Sequence, residues 1–380
     1  MGPLAGLRVI EMAGIGPAPF CGMLLADMGA EVLRIDRLVE SDIGIPVPPK
    51  FDLLSRNKRS AAVDIKSPEG KKTLLRLIEQ ADVLFEGFRP GVMERLGYGP
   101  QECLRLNPRL VYGRMTGWGQ DGPLSHAASH DLNYIALTGV LNAIGRKGDP
   151  PSIPLNLIGD FGGGSLYLAM GMLAAVLSAR TTGVGQVVDA AILDGAASLM
   201  SLIYSYRQMG DWSMERGTNI TDSGSPFYDV YETRDGLYVS VAPVEKKFYL
   251  EMLERIGLAN ADLPPQSDRK GWAIIRARLQ SVFRSRTRDE WCTILEGTDA
   301  CFAPVLDMDE CVKHPHNVAR KTYVEIDGVV NPAPAPRFSA TPSELRKAPP
   351  AVGEDTEAAL VDWGFTQSEI AALKVHSAIR

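Results

Sequence analysis

Short apolar runs alternate with helix-like segments along the first third of the chain. Residues 7–11, 31–37, 61–66, 82–88 and 110–115 are rich in β-branched and apolar side chains, as buried strands are. A Gly/Pro loop leads into a helix that ends near Gly29, and Ser67 followed by Pro68 and Glu69 marks the start of another helix. This alternation predicts an α/β fold with an open, mostly parallel sheet and right-handed crossovers.

The pattern changes in the second half of the chain. A helix is predicted from Asp160 to about Ala179, a strand over residues 185–192 and a single helix over residues 194–210. Beyond residue 216, two alternating strands flank an Arg-Asp-Gly turn, and helices are predicted over residues 246–256, 272–283 and 288–295. We therefore predict a large α/β domain over residues 1–200, a smaller α+β domain over residues 220–315 and a C-terminal segment over residues 316–380.

Composition is that of a soluble globular enzyme. The 380 residues are 45% hydrophobic and 23% charged, and the net charge of −6 gives no basic footprint for nucleic acid. The five cysteines are scattered without a CxxC pair, so neither a zinc site nor a disulfide framework is indicated, and a cytoplasmic location is expected. No signal peptide or SKL-type peroxisomal signal is found, and the apolar run over residues 166–177 is too short to span a bilayer, so we expect no membrane association.

Two polar residues carry the candidate chemistry, His130 and Asp160. His130 opens an apolar segment after a loop rich in Gly, Ser and Ala, and Asp160 precedes three glycines at residues 162–164. In that place Asp160 is predicted to be a helix N-cap, the glycines would let a ligand approach the backbone, and the free N–H groups of the helix start would favour a developing negative charge. A histidine, a carboxylate and such a backbone suit proton abstraction next to a carbonyl.

Basic residues cluster in the first third of the chain, several of them in loops after predicted strands. The cluster comprises Arg37, Arg56, Lys58, Arg59, Lys66, Arg89 and Arg95. Open α/β sheets bind ligands outside the carboxyl ends of their strands. We interpret Arg37, Arg89 and Arg95 as phosphate-binding, because guanidinium groups pair well with phosphates. The basic residues of the helix that follows Ser67 are interpreted as a solvated face.

Several short motifs, in this order and spacing along essentially the whole chain, resemble the family III CoA-transferases (the CaiB/BaiF family). They are GLRVIEMAGIGPAPFCGMLLADMGAEVLRIDR, FRPGVMERLGYGP, TGWGQDGP, SHDLNYIALTG, GDFGGGS and GQVVDAAILDG. Within that family the chain looks like the α-methylacyl-CoA racemases. The resemblance implies a Rossmann-like large domain, a smaller α+β domain, a C-terminal segment that returns to the large domain, and an interlocked homodimer.

For activity, the resemblance implies racemisation or epimerisation of (2R)- and (2S)-2-methylacyl-CoA thioesters. His130 and Asp160 would lie on either side of the substrate's α-carbon and move its proton through an enolate held by backbone N–H groups near the glycines. Glu245 would pair with His130. No metal and no cofactor are implied, since CoA is part of the branched acyl-CoA substrate. Whether the acyl chain is a fatty acid or a sterol side chain stays open.

The resemblance also implies a surface that binds CoA. Arg37 and Arg95 would contact its phosphates, residues 63–66 and 87–89 its adenine and ribose, and residues 129–134 the pantetheine and thioester. By name these residues are Arg37, Val63, Asp64, Ile65, Lys66, Gly87, Phe88, Arg89, Arg95, Ser129, His130, Asp131, Leu132, Asn133 and Tyr134.

The alternative function is that of a CoA-transferase of the same fold, with Asp160 as its nucleophile. His130 favours the racemase, since a transferase needs no base on the far face, and no Gly-rich flap of the GGGGQ kind follows residue 215. The His130/Asp160 pair argues against a third class, a nucleotide-binding regulatory module. His126 is interpreted as a loop residue rather than a metal ligand. Cys21 is a weak nucleophile candidate, and Phe20 and Cys21 stand where relatives often have smaller or polar residues.

Overall fold

The computed structural model describes residues 2–39 and 44–380, and the chain forms two compact units. The first unit comprises Met1–Thr138, Leu155–Leu199 and Ala319–Arg380, and the second comprises Gly139–Pro154 and Met200–Val318. The first unit is therefore built from three separate stretches of chain. Residues 139–154 belong to the second unit, whereas the predicted large domain of residues 1–200 includes them.

Helices and strands are numbered along the whole chain. The strands are β1 (Arg8–Met12), β2 (Glu31–Asp36), β3 (Arg59–Ala62), β4 (Val83–Glu86), β5 (Val111–Thr116), β6 (Gln186–Ala191), β7 (Asp229–Glu232), β8 (Tyr238–Val241), β9 (Phe302–Pro304), β10 (Tyr323–Ile326) and β11 (Val329–Pro332). The helices are α1 (Pro17–Asp27), α2 (Pro68–Gln80), α3 (Val92–Leu96), α4 (Pro100–Leu106), α5 (Asp131–Leu137), α6 (Val140–Ala143), α7 (Leu166–Thr182), α8 (Ile192–Leu199), α9 (Ser201–Met209), α10 (Lys246–Arg255), α11 (Trp272–Phe283), α12 (Arg288–Leu295), α13 (Met308–Cys311), α14 (Pro315–Arg320), α15 (Thr356–Asp362) and α16 (Gln367–Val375). A π-helical segment, Leu157–Ser165, leads into α7, and short 3₁₀ turns lie at Pro49–Phe51, Leu53–Ser55 and Arg269–Gly271.

The first unit is built on a six-stranded sheet in the order β3-β2-β1-β4-β5-β6, in which every neighbouring pair is parallel. Strands β1 to β5 are largely buried, as the continuous apolar runs in the sequence require of a sheet covered on both faces. One face packs against α2, α4, α15 and α16, and the other against α1 and α7. The predicted α/β fold with a parallel sheet is confirmed.

Two predicted elements differ in their bounds. The strand predicted over residues 61–66 is β3 at Arg59–Ala62, because the chain beyond it leaves the sheet: Val63 forms an isolated bridge with Ile379, and the Asp64 N–H donates to the Ala378 carbonyl. The helix predicted over residues 194–210 is instead two helices, α8 and α9, interrupted at Met200. That interruption coincides with the passage from the first unit into the second.

The second unit has a three-stranded antiparallel sheet in the order β7-β8-β9. Its core is aromatic: Tyr231 stacks on Phe283 with ring centroids 5.1 Å apart, and Trp291 meets Phe283 edge-on at 5.2 Å. The hairpin predicted around the Arg-Asp-Gly turn is β7–β8. Helices α11 and α12 have the bounds that their apolar spacing predicted.

The long helical run Leu157–Thr182 is apolar enough, by length and composition alone, to cross a membrane. The sequence expectation, which considered only residues 166–177, underestimated its length. Leu168, Met172 and Ala175 on one face of this run are buried in the core beneath the sheet. That packing accounts for the apolar residues on one side of the helix.

Candidate active site

The sheet has a topological switch point between β1 and β4, because the chain continues from them toward opposite edges. Ligands of open α/β sheets bind in the crevice outside the carboxyl ends of such strands. The loop after β1 ends at Gly16, whose φ of 70° requires glycine, and α1 begins at Pro17. A Cβ on Gly16 would lie 3.5 Å from Asp160 Oδ2, so this loop contacts the candidate catalytic carboxylate.

Asp160 lies inside the π-helical segment rather than at its N-cap. The segment begins at Leu157, and its wider turns are marked by the bond from the Phe161 N–H to the Asn156 carbonyl, five residues back. The prediction that Asp160 caps a helix is therefore wrong. The Asp160 side chain is half-buried and accepts a long hydrogen bond of 3.4 Å from Asn156 Nδ2.

The three glycines after Asp160 serve helix packing. A Cβ on Gly195 of α8 would lie 1.8 Å from the Gly163 carbonyl oxygen, and one on Gly163 would lie 2.6 Å from the Ala196 nitrogen. Gly164 is buried against Ile192, Met115 and Pro17. These contacts show why small residues are needed at Gly163 and Gly164, and the approach of a ligand to the backbone at these glycines stays a prediction.

His130 is exposed and precedes the first turn of α5, where its backbone N–H donates to Asn133 Oδ1 at 3.3 Å. Its imidazole is close enough to Asp160 to act on that carboxyl electrostatically. The structure thus brings together the two residues singled out in the sequence. His126 lies in the exposed loop before them, as expected.

Burial and a neighbouring carboxylate act on the ionisation of the Asp160 carboxyl. Burial raises the pKa of the Asp160 carboxyl, and the nearby Asp131 carboxylate raises it further, while Asn156 and His130 act in the opposite direction. Asp131 is itself buried and close by, with Oδ2 accepting the Asp160 backbone N–H at 2.6 Å. The net effect shifts the Asp160 carboxyl toward its protonated form.

Tyr134 on α5 packs against Gly117 and Trp118, which follow β5. Its hydroxyl donates to the Ser129 carbonyl at 2.5 Å, and its ring meets Trp118 edge-on with centroids 4.8 Å apart. A Cβ on Gly117 would lie 1.9 Å from the Tyr134 ring, so this glycine is required for the ring to approach the end of β5. Burial raises the pKa of the Tyr134 hydroxyl to about 12; Asp160 acts in the same direction and Arg89 in the opposite one.

The basic residues separate into two groups. Arg56 is buried and pairs with Asp27 at 2.7 Å, and Lys58 is buried and pairs with Glu11 at 2.6 Å, so both have structural partners. By contrast, Arg37, Arg89 and Arg95 are exposed, and within residues 2–39 and 44–380 they form no salt bridge. They follow β2 and β4 or lie on α3, at the carboxyl edge of the sheet.

The backbone N–H groups of residues 63–66 are engaged within the protein. They donate to the Asp36 and Ala378 carbonyls, to the Val63 carbonyl, and to Asp64 Oδ1. The Ile65 carbonyl also accepts the Tyr98 hydroxyl at 2.7 Å. A ligand at this loop would therefore meet the exposed Lys66 side chain rather than the backbone donors.

A buried network that sequence reasoning missed supports the loop after β4. Glu86 Oε2 accepts the Phe88 N–H at 2.7 Å, and Glu86 Oε1 accepts Arg114 Nε at 3.1 Å. Arg114 also donates to both oxygens of Glu94 on α3, at 2.8 and 3.3 Å. Burial raises the pKa of Glu86 to about 7, against the opposing effects of the Phe88 N–H and Arg114. The network joins the loop of residues 87–89 to the helix that carries Arg95, and no local motif in the sequence announces it.

Phe20 on α1 stacks on Phe161, the residue after Asp160, with ring centroids 4.5 Å apart. An aromatic pair therefore lies directly beside the candidate acid. Cys21 is fully buried, and burial raises the pKa of its thiol far above the usual range, which argues against a nucleophile.

Glu245 lies in the second unit, exposed, at the N-cap of α10. Its pairing with His130 stays a prediction. Among the residues that the structure describes, no group of three or more His, Cys, Asp or Glu side chains could hold a metal ion.

Residues 4–356 match the family model described as CoA-transferase family III. The chain belongs to this family. It is 44% identical to mouse alpha-methylacyl-CoA racemase over 98% of this chain and 96% of the relative, and 42% identical to the human protein of the same name over 97% and 95%. It is also 31% identical to the succinyl-CoA–L-malate CoA-transferase beta subunit of Chloroflexus aurantiacus, over 94% of this chain and 93% of the relative, so the family includes transferases.

Solved structures of the family share the fold. A CaiB/BaiF family protein from Brucella suis aligns with a TM-score of 0.82 at 23% identity, covering 95% of this chain and 99% of that one. A protein from Mycobacterium tuberculosis aligns with a TM-score of 0.77 at 26% identity, covering 94% and 98%.

Proposed function

We propose that this protein is an α-methylacyl-CoA racemase that interconverts the (2R) and (2S) thioesters. The observation that carries the proposal is the pairing of His130 with Asp160 at the switch point of the sheet, in a chain more than two-fifths identical to two proteins named for this activity. The surroundings of Asp160 raise the pKa of its carboxyl, which favours a group that holds and donates a proton.

In the proposed reaction His130 takes the α-proton from one face of the thioester and Asp160, protonated, donates to the other. The reverse direction exchanges the two roles. The thioester carbonyl acidifies the α-carbon, and the enolate is the intermediate between the two proton transfers.

The CoA portion is proposed to lie along the carboxyl edge of the sheet. Arg37 and Arg95 bind its phosphates, and the Lys66 side chain and residues 87–89 bind the adenosine end. Residues 129–134 line the pantetheine and thioester. The exposure of these arginines, and their lack of salt bridges to other described residues, supports this use, since an arginine with no internal partner is available to a phosphate.

A CoA-transferase with Asp160 as nucleophile is the second candidate, since it shares the fold and the family. A nucleophilic carboxylate must be ionised, and burial together with the Asp131 carboxylate raises the pKa of Asp160, which disfavours that form. The direction of this shift is the one that a proton-donating acid needs, as the racemase requires.

The deciding experiment follows the α-proton by NMR in D₂O with each pure enantiomer of a 2-methylacyl-CoA. We expect wild-type protein to exchange the α-proton of both without an added free acid. His130→Ala should lose exchange of the enantiomer whose proton faces His130 and keep slow exchange of the other, and Asp160→Asn should show the opposite preference. Each loss should be roughly 10²–10⁴-fold.

Two results would contradict this proposal. Transfer of CoA to an added carboxylic acid without α-proton exchange would establish the transferase. Equal loss of both exchanges in both folded variants would place His130 and Asp160 on one face of the substrate.

Homodimerisation is part of the proposal. Helix α7 is apolar around its whole circumference, and such helices are buried on all sides. Leu166, Met170 and Leu177, spaced to lie on one face of α7, are nevertheless exposed in the single chain. A second copy covering this face would remove that exposure. We further propose that the enzyme needs no cofactor and works in the cytoplasm, where its five free cysteines stay reduced.

A further inference from the structure

Asp131 ties the start of the π-helical segment to the start of α5. Its Oδ2 accepts the backbone N–H of Asp160 at 2.6 Å across 29 residues of chain, and the backbone N–H of Gly159 also donates to it. A Cβ on Gly159 would lie 2.3 Å from Oδ2, so the contact depends on that glycine. The carboxylate therefore caps the helical turn that carries the candidate acid.

The Asp131 side chain has no cationic partner among the residues that the structure describes. Its side chain is 6% exposed, its Oδ1 has no hydrogen-bond partner in the described part of the chain, and it forms no salt bridge there. Burial raises the pKa of the Asp131 carboxyl, and the two backbone N–H groups act in the opposite direction. A buried carboxylate thus lies one peptide away from the Asp160 carboxyl.

We infer that the Asp131 side chain is a positioning group for proton transfer. Its carboxylate fixes the backbone that aims Asp160, and its charge disfavours ionisation of Asp160. The other groups that face Asp160 are Asn156, which donates to it, His130, Tyr134 and the loop at Gly16. Asp131 is the only carboxylic acid among the described groups that face Asp160. The inference rests on the proposed racemase activity. The titration of Asp160, by contrast, can be measured whether or not the protein racemises a thioester.

Asp131→Asn separates charge from geometry, because the amide keeps the size and one acceptor for the Asp160 N–H but removes the charge. The titration of Asp160 is read directly by NMR of protein labelled with ¹³C-aspartate, with the Asp160 signal identified by its loss in Asp160→Asn. We expect the Asp160 titration in Asp131→Asn to move to lower pH than in wild type. The pH profile of α-proton exchange at the face assigned to Asp160 should move the same way. Asp121→Asn, which removes an exposed acid from the neighbouring loop, should move neither.

Asp131→Ala removes both charge and cap. We expect kcat to fall roughly 10²-fold, with little change in KM for the thioester, because a misaimed Asp160 affects the transition state more than binding. If this variant does not fold, Asp131→Asn decides alone. An Asp160 titration that stays at the wild-type pH in folded Asp131→Asn would overturn the inference whether or not the protein racemises. Absence of exchange in wild-type protein would instead overturn the proposed function.

Discussion

At the scale of single residues, we expect substrate affinity to depend on Arg37 and Arg95, which form no salt bridge with any other described residue. Arg37→Ala and Arg95→Ala are each expected to raise KM for the CoA thioester more than they lower kcat, because phosphate contacts far from the reacting carbon hold substrate and transition state about equally. Steady-state kinetics at saturating and limiting thioester measures the split. Lys72→Ala is the matched control, because it removes one positive charge from the exposed surface of α2. It should leave KM and kcat unchanged. Wild-type KM values in both arginine variants would place the phosphates elsewhere.

Glu86 should make stability depend on pH. Its pKa is about 7 in the folded protein against 4.5 for the unfolded chain, so the stability that the protonated carboxyl contributes is present below the unfolded pKa and is lost as the pH rises to about 7. The total is on the order of 3 kcal/mol. Urea unfolding of Glu86→Gln at about pH 5 and about pH 8 should show the variant gaining stability relative to wild type at the higher pH.

Glu94→Gln is the control for this measurement. Glu94 binds the other end of the same Arg114 guanidinium, and its pKa is lowered rather than raised, with burial opposing its hydrogen bonds. Its removal should therefore give no gain at higher pH. If the unfolding midpoints of wild type and Glu86→Gln differ by the same amount at both pH values, Glu86 does not titrate over this range.

At the scale of elements, the close contact between α8 and the π-helical segment should tolerate no side chain at Gly195. The Cβ of Gly195→Ala would lie 1.8 Å from the Gly163 carbonyl oxygen, which is backbone and cannot rotate away. We expect a loss of roughly 1–3 kcal/mol in thermal unfolding, as for overpacking of a core. Gly162→Ala meets its nearest neighbours at 3.1 and 3.4 Å and should cost much less. Equal stability of the two variants would mean that α8 shifts freely.

Sequence patterns predicted the elements well where burial alone determines them. Strands β1, β4 and β5 are covered on both faces, and α11 and α12 have one apolar face, so their periodicity is visible locally. The position of Asp160 could not be read in this way. An Asp ahead of glycines looks like a cap, but the true cap of this turn is Asp131, 29 residues earlier in the chain. The Glu86–Arg114–Glu94 network was equally invisible, because β4, β5 and α3 meet only after the sheet has formed.

At the scale of the whole molecule, the exposed face of α7 provides a test of the proposed dimer. Met170→Glu and Leu177→Glu should shift the mass measured by light scattering from dimer toward monomer, because each would bury a charge against a second copy. Val375→Glu changes a more exposed apolar residue on α16 and should leave the mass unchanged. A wild-type monomer with full activity would exclude the dimer.

The way the chain is distributed over its two units has a consequence for synthesis on the ribosome. Strand β3 lies at the edge of the sheet, and residues 379–380 pair with its end. Val63, directly after β3, forms a bridge with Ile379, and the Arg380 N–H donates to the carbonyl of Ala62, the last residue of β3. Trp363, in the last stretch, is buried in the same core as Leu33. A nascent chain therefore carries an open sheet edge and an uncovered core throughout translation of the second unit. The segment that closes them, residues 319–380, is synthesised only after the second unit.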